Sequence, residues 1–242
     1  MAVINSVNNF RVKQWIKLKN KPQRDKQRQF IAEGYHLVSE AYKAGRLLEF
    51  ISLEKDTRFD VPSYQVTYEV MERLTSMATS AKALGICARQ KEGEYGDVIL
   101  LADQIHHPGN LGTIIRSAVA FGVDTIALAN SVDVYNPKVI QASQGMLFHI
   151  NIINRDMKDF LLTLKDEGYQ IIGTDVREGV PLRDVKPNTK RAILIGNEGD
   201  GLGDGLLNEC DIKVNIKMND KCESLNVGVA ASIILYGLSC IG

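Results

Sequence analysis

The chain has 242 residues, with 29 Lys and Arg against 29 Asp and Glu and a hydrophobic share of 45%. Such a length allows one large domain or, more naturally, two, and the composition is that of an ordinary globular protein. A formal net charge of zero excludes binding of nucleic acid through overall positive charge.

The first part of the chain is locally basic. From Arg11 to Arg28 there are eight basic residues and a single acid, Asp25, with Trp15 among them. A segment of this kind favours contact with RNA phosphates and stacking on bases. The alternative is a solvated, partly mobile arm.

Residues 1–95 predict a small α/β domain. Helical spacing of apolar residues from Ile31 to Tyr42 predicts a helix, and Gly45 ends it. The run LLEFISLE predicts a strand, SYQVTYEV a short strand that leads into a helix, and ALGICAR a second apolar strand. The polar stretch QKEGEYGD, with its two glycines, predicts a linker.

From residue 98 to residue 242 strands alternate with helices. The strand-like runs are VILLAD, TIALAN, HINII, YQIIGTDV and RAILIG, and the helical segments are 113–121, 137–147 and 156–167. This alternation predicts an α/β fold with a mostly parallel sheet. Because such sheets bind ligands at the carboxyl ends of their strands, we expect chemistry in the loops after VILLAD and RAILIG.

The first of these loops leads into the stretch HHPGNLGTIIRSAVAFG. Asn110 stands where an N-cap is expected, and Gly122 where the helix ends. Between them Arg116 is surrounded at helical spacing by mostly small residues, so another surface can approach its guanidinium closely. Arg116 is therefore either a solvated side chain or a group that holds an anion.

The second loop, GNEGDGLGDG, follows an apolar strand directly. It contains neither the Gly-x-x-x-x-Gly-Lys pattern of a phosphate-binding loop nor the Gly-x-Gly-x-x-Gly pattern of dinucleotide binding. Its acids, Glu198 and Asp200, would repel a pyrophosphate. The loop therefore favours a neutral or cationic ligand, or one held by backbone groups, and disfavours a dinucleotide-dependent oxidoreductase.

The third stretch, VNIKMNDKCESLNVGVAAS, is a short strand, a polar loop and the start of an apolar helix. Ser224 is the expected N-cap of this helix, and Asn226 is unusual inside a first turn. The small residues that follow, from Gly228 to Ser232, predict close packing of another helix in the core or at a subunit interface.

Cysteine and histidine usage points away from a metal or a disulfide framework. The four cysteines form no Cys-x-x-Cys pair, and His106 and His107 are adjacent, so their side chains point in different directions. With no signal peptide at the start, we expect reduced thiols and a cytoplasmic protein. The longest apolar run is too short to cross a membrane, so no membrane partner is expected.

Taken together, the three stretches are similar to the SpoU (TrmH-type) class of the SPOUT RNA methyltransferases. The matching segments are NLGTIIRSAVAFG, GNEGDGL and IKMNDKCESLNVGVAA, in the family's order and spacing, with NPKVIQASQGMLFHI between the first two. More weakly, residues 1–95 resemble the ribosomal-protein-L30e-like substrate-binding domain often joined to this class. The resemblance implies a deep C-terminal trefoil knot, a homodimer and an active site near the subunit interface.

The resemblance also implies S-adenosylmethionine as cofactor, whose cationic sulfonium agrees with the acidic second loop. Gly196, Ile216 and Leu225 are expected to contact it through backbone groups, with Asn197, Glu198, Met218 and Asn226 close by. The family usually has a proline between the residues that correspond to Ile216 and Met218. Here Lys217 takes that place, which leaves the loop freer.

The implied reaction is transfer of a methyl group to a ribose 2′-hydroxyl of RNA. In our hypothesis Arg116 holds a phosphate and stabilises the developing oxyanion, because a guanidinium with a pKa above about 12 is a poor base. Asn110 positions the ribose or the arginine, Ser224 and Asn226 shape the oxygen's surroundings, and Glu198 orients Arg116 or Asn110 across the interface.

The L30e-like domain suggests ribosomal RNA more than tRNA, and no DNA partner is expected. Two alternatives stay open from the sequence. One is a tRNA 2′-O-methyltransferase, and the other is a non-catalytic dimeric RNA-binding protein that uses the knot only for dimerisation.

Overall fold

The computed structural model describes residues 2–76, 81–175, 178–197, 199 and 201–239. The chain divides into two compact units. The first consists of residues 1–91 and 135–149, and the second of residues 92–134 and 150–242.

The secondary structure in chain order begins with the following elements: β1 Ala2–Ile4, α1 Phe10–Lys17, α2 Lys21–Gln27, β2 Gln29–Glu33, α3 Tyr35–Lys43, β3 Leu47–Ser52, β4 Ser63–Val66, α4 Tyr68–Leu74 and β5 Ala83–Ala88. It continues with β6 Val98–Asp103, α5 Pro108–Ala120, β7 Thr125–Ala129, α6 Pro137–Ala142, β8 Asn151–Asn154, α7 Met157–Asp166, β9 Gln170–Thr174, β10 Val180–Pro181, β11 Arg191–Ile195, α8 Asp204–Leu207, β12 Ile212–Asn215 and α9 Val227–Leu238. Short 3-10 turns lie at Met146–Phe148 and Leu182–Asp184.

The first unit is built on a mixed sheet. Among the described strands its order is β1-β4-β3-β5-β2, with β5 antiparallel to both of its neighbours. One face of this sheet packs against α1 and α4, whose apolar residues join a core that includes Val12, Ile51 and Met71. The unit is thus a small α/β domain.

The helix expected from Ile31 to Tyr42 is two elements. Residues Gln29–Glu33 form strand β2, and the helix begins only at Tyr35. Gly34 separates them with a φ of 96°, which favours glycine. Ile31 belongs to the strand because it pairs with Ile86 of β5, a long-range contact that local periodicity does not report.

The basic segment is folded, so the alternative of a mobile arm is wrong. It forms α1 and α2, and Trp15 is 4% exposed, with its indole N–H donating to Glu49 at 2.8 Å. Arg24 is also buried, where its guanidinium donates to the carbonyls of Leu18 and Lys19. Trp15 is therefore a core residue and is not available to stack on RNA bases.

Residues 135–149 pack with the first unit, although the sequence places them inside the second. The rings of Tyr135 and Phe148 lie 4.8 and 5.9 Å from the ring of Phe30. His149 and Glu40 are joined by a contact of 2.8 Å. Within this segment the helix predicted over 137–147 stops at Ala142, because Gly145 turns the chain with a φ of 85° against Glu40.

The second unit is built on a parallel sheet. Its described strands have the order β10-β12-β9-β11-β6-β7-β8, and these pairings are parallel. Strands β7 and β11 are buried along their whole length, as expected for a sheet covered on both faces. The predicted α/β fold with a mostly parallel sheet is confirmed, and the trefoil knot stays a prediction.

Helix α5 begins earlier than the sequence suggested. Pro108 occupies its first turn and His107 is the N-cap, so Asn110 lies inside the helix and is not its cap. Proline suits this position because its missing N–H would have no helical partner there. Gly122 follows the helix with a φ of 74°, as a helix stop requires.

The apolar C-terminal run forms α9, of twelve residues. In the part of the chain that the structure describes, no helix combines the length and the apolar character needed to cross a bilayer.

Candidate functional site

A cavity lies at the carboxyl ends of strands β9, β11 and β12. Four segments line it: the end of β9, the loop after β11, the loop after β12, and the chain that leads into and forms the start of α9. The position agrees with the general rule for parallel sheets, because strand ends leave backbone groups and loops free to contact a ligand. The lining includes six residues expected from the sequence: Gly196, Asn197, Ile216, Met218, Ser224 and Leu225.

The loop after β11 folds back on itself. The N–H of Asn197 donates to the carbonyl of Gly201 at 3.1 Å, and its side-chain oxygen accepts from the N–H of Gly199 at 2.7 Å. A Cβ at Gly196 would overlap the carbonyl of Gly201, so only glycine fits there. The glycines thus serve a close backbone approach that forms one wall of the cavity.

The loop after β12 brings Ile216 and Met218 to the cavity, while Lys217 between them is exposed. Lysine in place of the family's usual proline therefore leaves both neighbours at the cavity. A turn follows, in which the side chain of Asn219 accepts from the N–H of Lys221 at 3.0 Å.

Asn226 is the N-cap of α9, a role that the sequence assigned to Ser224. Its side-chain oxygen accepts from the N–H groups of Gly228 and Val229, at 3.0 and 3.3 Å. Its amide group donates to the side-chain oxygen of Asn110 at 2.9 Å. The two asparagines therefore tie the first turn of α5 to the start of α9, and Ser224 is left exposed at the cavity.

Small residues let α5 and α9 pack closely, as the sequence predicted. Gly228 faces Thr113, where an added Cβ would lie 3.2 Å from the threonine side chain. One turn further along, the hydroxyls of Ser117 and Ser232 are 2.7 Å apart. This contact fixes the relative position of the two helices that carry Asn110 and Asn226.

Arg116 is exposed on α5 and does not line the cavity. Among the described residues it has no hydrogen-bond or ion-pair partner. Within one chain the structure therefore does not bring the arginine to the cavity. Glu198 lies outside the described residues, so its expected role stays a prediction.

Sequence reasoning missed three polar residues of the cavity: Thr174, Asp175 and Asn215. Asp175 is 9% exposed, and it brings a carboxylate to a cavity with a largely apolar wall. Thr174 and Asp175 come directly at the end of the run YQIIGTDV. The rule that ligands bind at the carboxyl ends of parallel strands, applied to this strand too, would have found them.

The buried thiol of Cys87 and the half-buried thiol of Cys210 are held in their neutral form. Burial raises the pKa of Cys210 to about 11 and raises the pKa of Cys87 still further above its usual value. Since the thiolate is the reactive form, neither side chain is a nucleophile at neutral pH.

Comparison with known protein families assigns both parts of the chain. Residues 97–236 match the SpoU rRNA Methylase family, and residues 9–85 match the MRM3-like substrate binding domain. The first match covers more than half of the chain and contains the loops that line the cavity.

Several relatives match almost the whole chain. A Bacillus subtilis protein, 23S rRNA (guanosine(2553)-2′-O)-methyltransferase RlmP, is 33% identical over 98% of this chain and 99% of its own. An AdoMet-bound rRNA methyltransferase from Sinorhizobium meliloti superposes with a TM-score of 0.85 at 27% identity, covering 97% of this chain and 96% of its own. A solved RNA 2′-O ribose methyltransferase superposes with a TM-score of 0.84 at 27% identity, with 97% of each chain covered. The resemblance seen in the sequence is confirmed, and the chain belongs to the SpoU rRNA methylase family.

Proposed function

We propose that this protein transfers a methyl group from S-adenosylmethionine to a ribose 2′-hydroxyl of ribosomal RNA. The observation that carries the proposal is one cavity to which two loops, the one after β11 and the one between β12 and α9, bring six residues expected from the sequence. Relatives that match almost the whole chain are named as rRNA methyltransferases, which supports the choice of RNA.

The cavity suits S-adenosylmethionine by its chemistry. The apolar side chains of Ile195, Leu202 and Val227 offer a surface for the adenine ring, and the glycine-rich loop offers backbone groups for its edge. The carboxylate of Asp175 complements the ligand's positive charge. When bound, the cofactor supplies an activated methyl group, so the protein needs mainly to align the acceptor oxygen.

Residues on α5 and at the start of α9 then act on the RNA. Arg116 pairs with a phosphate and stabilises negative charge on the 2′-oxygen as its proton leaves. The Asn110–Asn226 hydrogen bond sets the positions of the two amides beside the ribose. Ser224 helps to shape the surroundings of the ribose 2′-oxygen. Glu198 orients Arg116 or Asn110.

A homodimer completes the site in this proposal. Arg116 is exposed on α5 and does not line its own chain's cavity, so in this proposal it acts at the cavity of the second chain. The exposed side of α9 carries Val229, Ile233 and Tyr236, which are 46%, 38% and 70% exposed and share one helix face. An apolar face of this kind next to α5 supports pairing with a second copy of the chain.

The first unit recognises the RNA and the reaction takes place in the cytoplasm. The match of residues 9–85 to a substrate binding domain supports the first statement. A trefoil knot in residues 98–242, implied by the family resemblance, is part of the same proposal.

The test is to map 2′-O-methyl groups by mass spectrometry in ribosomal RNA and tRNA from cells with and without this protein. We expect loss of a ribose methyl group in ribosomal RNA, restored when the purified protein and S-adenosylmethionine are added to the undermodified RNA. A loss confined to tRNA would support the tRNA alternative. No change in either RNA, together with no binding of S-adenosylmethionine by calorimetry, would support a non-catalytic RNA-binding protein.

A further inference from the structure

A second pocket lies in the first unit, between α1 and the sheet. The strand pairings show which residues of the sheet face this pocket. Glu49 of β3 pairs with Ile86 of β5, and Ile86 pairs with Ile31 of β2. These side chains share one face of the sheet, and Gln29 shares it too because it lies two residues from Ile31. The residues that line the pocket include Phe10, Gln14, Trp15, Gln27, Gln29 and Glu49.

Three glutamines line this pocket, and their amides have no hydrogen-bond partner in the part of the chain that the structure describes. Among the described residues, the side chains of Gln14, Gln27 and Gln29 make no hydrogen bond with another group. Each amide carries a donor and an acceptor. Three such groups suit a planar ligand with alternating donors and acceptors along its edge.

Glu49 is fixed beside them as an acceptor. Its carboxylate is 25% exposed and accepts from the indole N–H of Trp15 at 2.8 Å, with the guanidinium of Arg11 at 3.5 Å. Arg11 in turn lies over the ring of Tyr64, 4.9 Å from its centre. Because the carboxylate is held by two partners, its free lone pairs point in a defined direction.

Phe10 supplies an exposed aromatic ring at the rim. It is the first residue of α1, it is 74% exposed, and it makes no ring contact with the described residues. A large apolar side chain exposed next to unpaired amides is suited to stack on a flat ring. Trp15, which the sequence suggested for this task, is the pocket's buried support instead.

The pocket lies in the chain's most basic segment. The helices α1 and α2 that border it carry Lys13, Lys17, Lys21 and Lys26 on their exposed surface, in addition to Arg11. Exposed cations around a pocket attract a polyanion and hold it by its phosphates without regard to sequence.

We propose that this pocket binds one unpaired nucleobase of the RNA substrate, stacked on Phe10 and read along its edge by Gln14, Gln29 and Glu49. Single-stranded bases are recognised in this way, by stacking on aromatic rings and hydrogen bonds to their edges. The inference rests on the proposed function, since it takes RNA as the substrate, and it assigns to this unit recognition of a loop or bulge.

The test uses the full chain and the variant Phe10→Ala, with Tyr68→Ala as the matched control. Tyr68 is also an exposed aromatic residue at the start of a helix in the same unit, and it does not line the pocket. Fluorescence anisotropy measures the binding of a labelled oligoadenylate, alone and as a duplex with oligouridylate. We expect Phe10→Ala to weaken single-strand binding by about five- to one-hundred-fold and duplex binding by less than about twofold.

A second variant, Gln14→Ala with Gln29→Ala, is expected to weaken single-strand binding and to leave the circular dichroism spectrum unchanged. The inference is overturned if Phe10→Ala binds the single strand like the parent, as it would if a protein segment occupied the pocket. It is equally overturned if single strand and duplex weaken to the same extent. Because these readouts need no methyl transfer, a parent that binds oligoadenylate through Phe10 but methylates no RNA would contradict only the proposed function.

Discussion

At the scale of single residues, Arg116 carries the most specific chemical expectation. It is an exposed arginine without a partner among the described residues, on a helix that packs against the start of α9. Replacing Arg116 by Ala should reduce methyl transfer about 100- to 1,000-fold, the usual loss when one donor to a developing oxyanion is removed. Arg116→Lys keeps the charge but not the planar fork of donors, so its rate of methyl transfer should lie between those of the parent and of Arg116→Ala.

The rate of methyl transfer at saturating S-adenosylmethionine, together with the oligomeric state by gel filtration, checks this expectation. Parent-like rates in both variants would show that Arg116 has no catalytic role. Loss of the dimer along with the activity would instead assign it to the interface.

Glu40 gives a pH-dependent prediction for the first unit. Hydrogen bonds from Lys43 at 2.7 Å and His149 at 2.8 Å hold the pKa of this carboxyl below its usual value. A carboxyl whose pKa is lowered by folding stabilises the protein above its unfolded pKa, about 4.3, and this contribution is lost as the pH falls through the folded pKa. Glu40→Gln should therefore be less stable than the parent near neutral pH, and the difference should vanish in acid.

The measurement is urea unfolding at a series of pH values between neutral and acid, followed by the fluorescence of the chain's single tryptophan, Trp15. Trp15 reports on the first unit, to which Glu40 also belongs. Glu209→Gln is the control, because Glu209 has a pKa lowered by Lys165 but belongs to the other unit. Equal stability of parent and Glu40→Gln at neutral pH would contradict the prediction.

At the scale of elements, the loop after β11 depends on close approach of its own backbone. Gly196→Ala places a methyl group against the carbonyl of Gly201, so the loop must open and the cavity must change shape. Strain of this kind costs about 1–3 kcal/mol. Calorimetry should show S-adenosylmethionine binding weakened by about five- to 150-fold.

Gly205→Ala is the matched control for this change. Gly205 lies in α8, ten residues beyond the end of β11, and a Cβ there would meet nothing within 4 Å. It should bind S-adenosylmethionine like the parent. If Gly196→Ala also binds like the parent, the loop does not form the cofactor site.

At the scale of the whole molecule, the proposal requires two chains for one active site. Ile233→Glu puts a charge in the centre of the exposed apolar face of α9, and an unpaired charge is costly to bury. We expect a monomer by sedimentation and loss of methyl transfer, with S-adenosylmethionine still bound, because one chain carries all the segments described above as lining the cavity.

Leu162→Glu is the comparison, since Leu162 is 42% exposed on α7 and gives a similar apolar-to-acid change elsewhere in the same unit. It should remain a dimer with parent activity. If Ile233→Glu is dimeric and active, α9 does not form the proposed dimer interface.

The sequence by itself determined the family and the parallel α/β unit. The strands of that unit are local apolar runs, and the residues of the cavity lie in short segments directly after them, such as Gly196 after β11 and Ile216 after β12. Both kinds of signal are contained in a few consecutive residues. Position at a strand's carboxyl end then predicts that such segments meet.

Only the tertiary structure decided the features that depend on distant partners. Ile31 is in a strand because β5 pairs with it, Trp15 is buried in a core of distant apolar residues while Glu49 accepts its N–H, and residues 135–149 join the first unit through the ring of Phe30. Asn226 caps α9 while it also binds Asn110, 116 residues away. Local periodicity and capping preferences do not contain these contacts, because each arises between segments far apart in the chain.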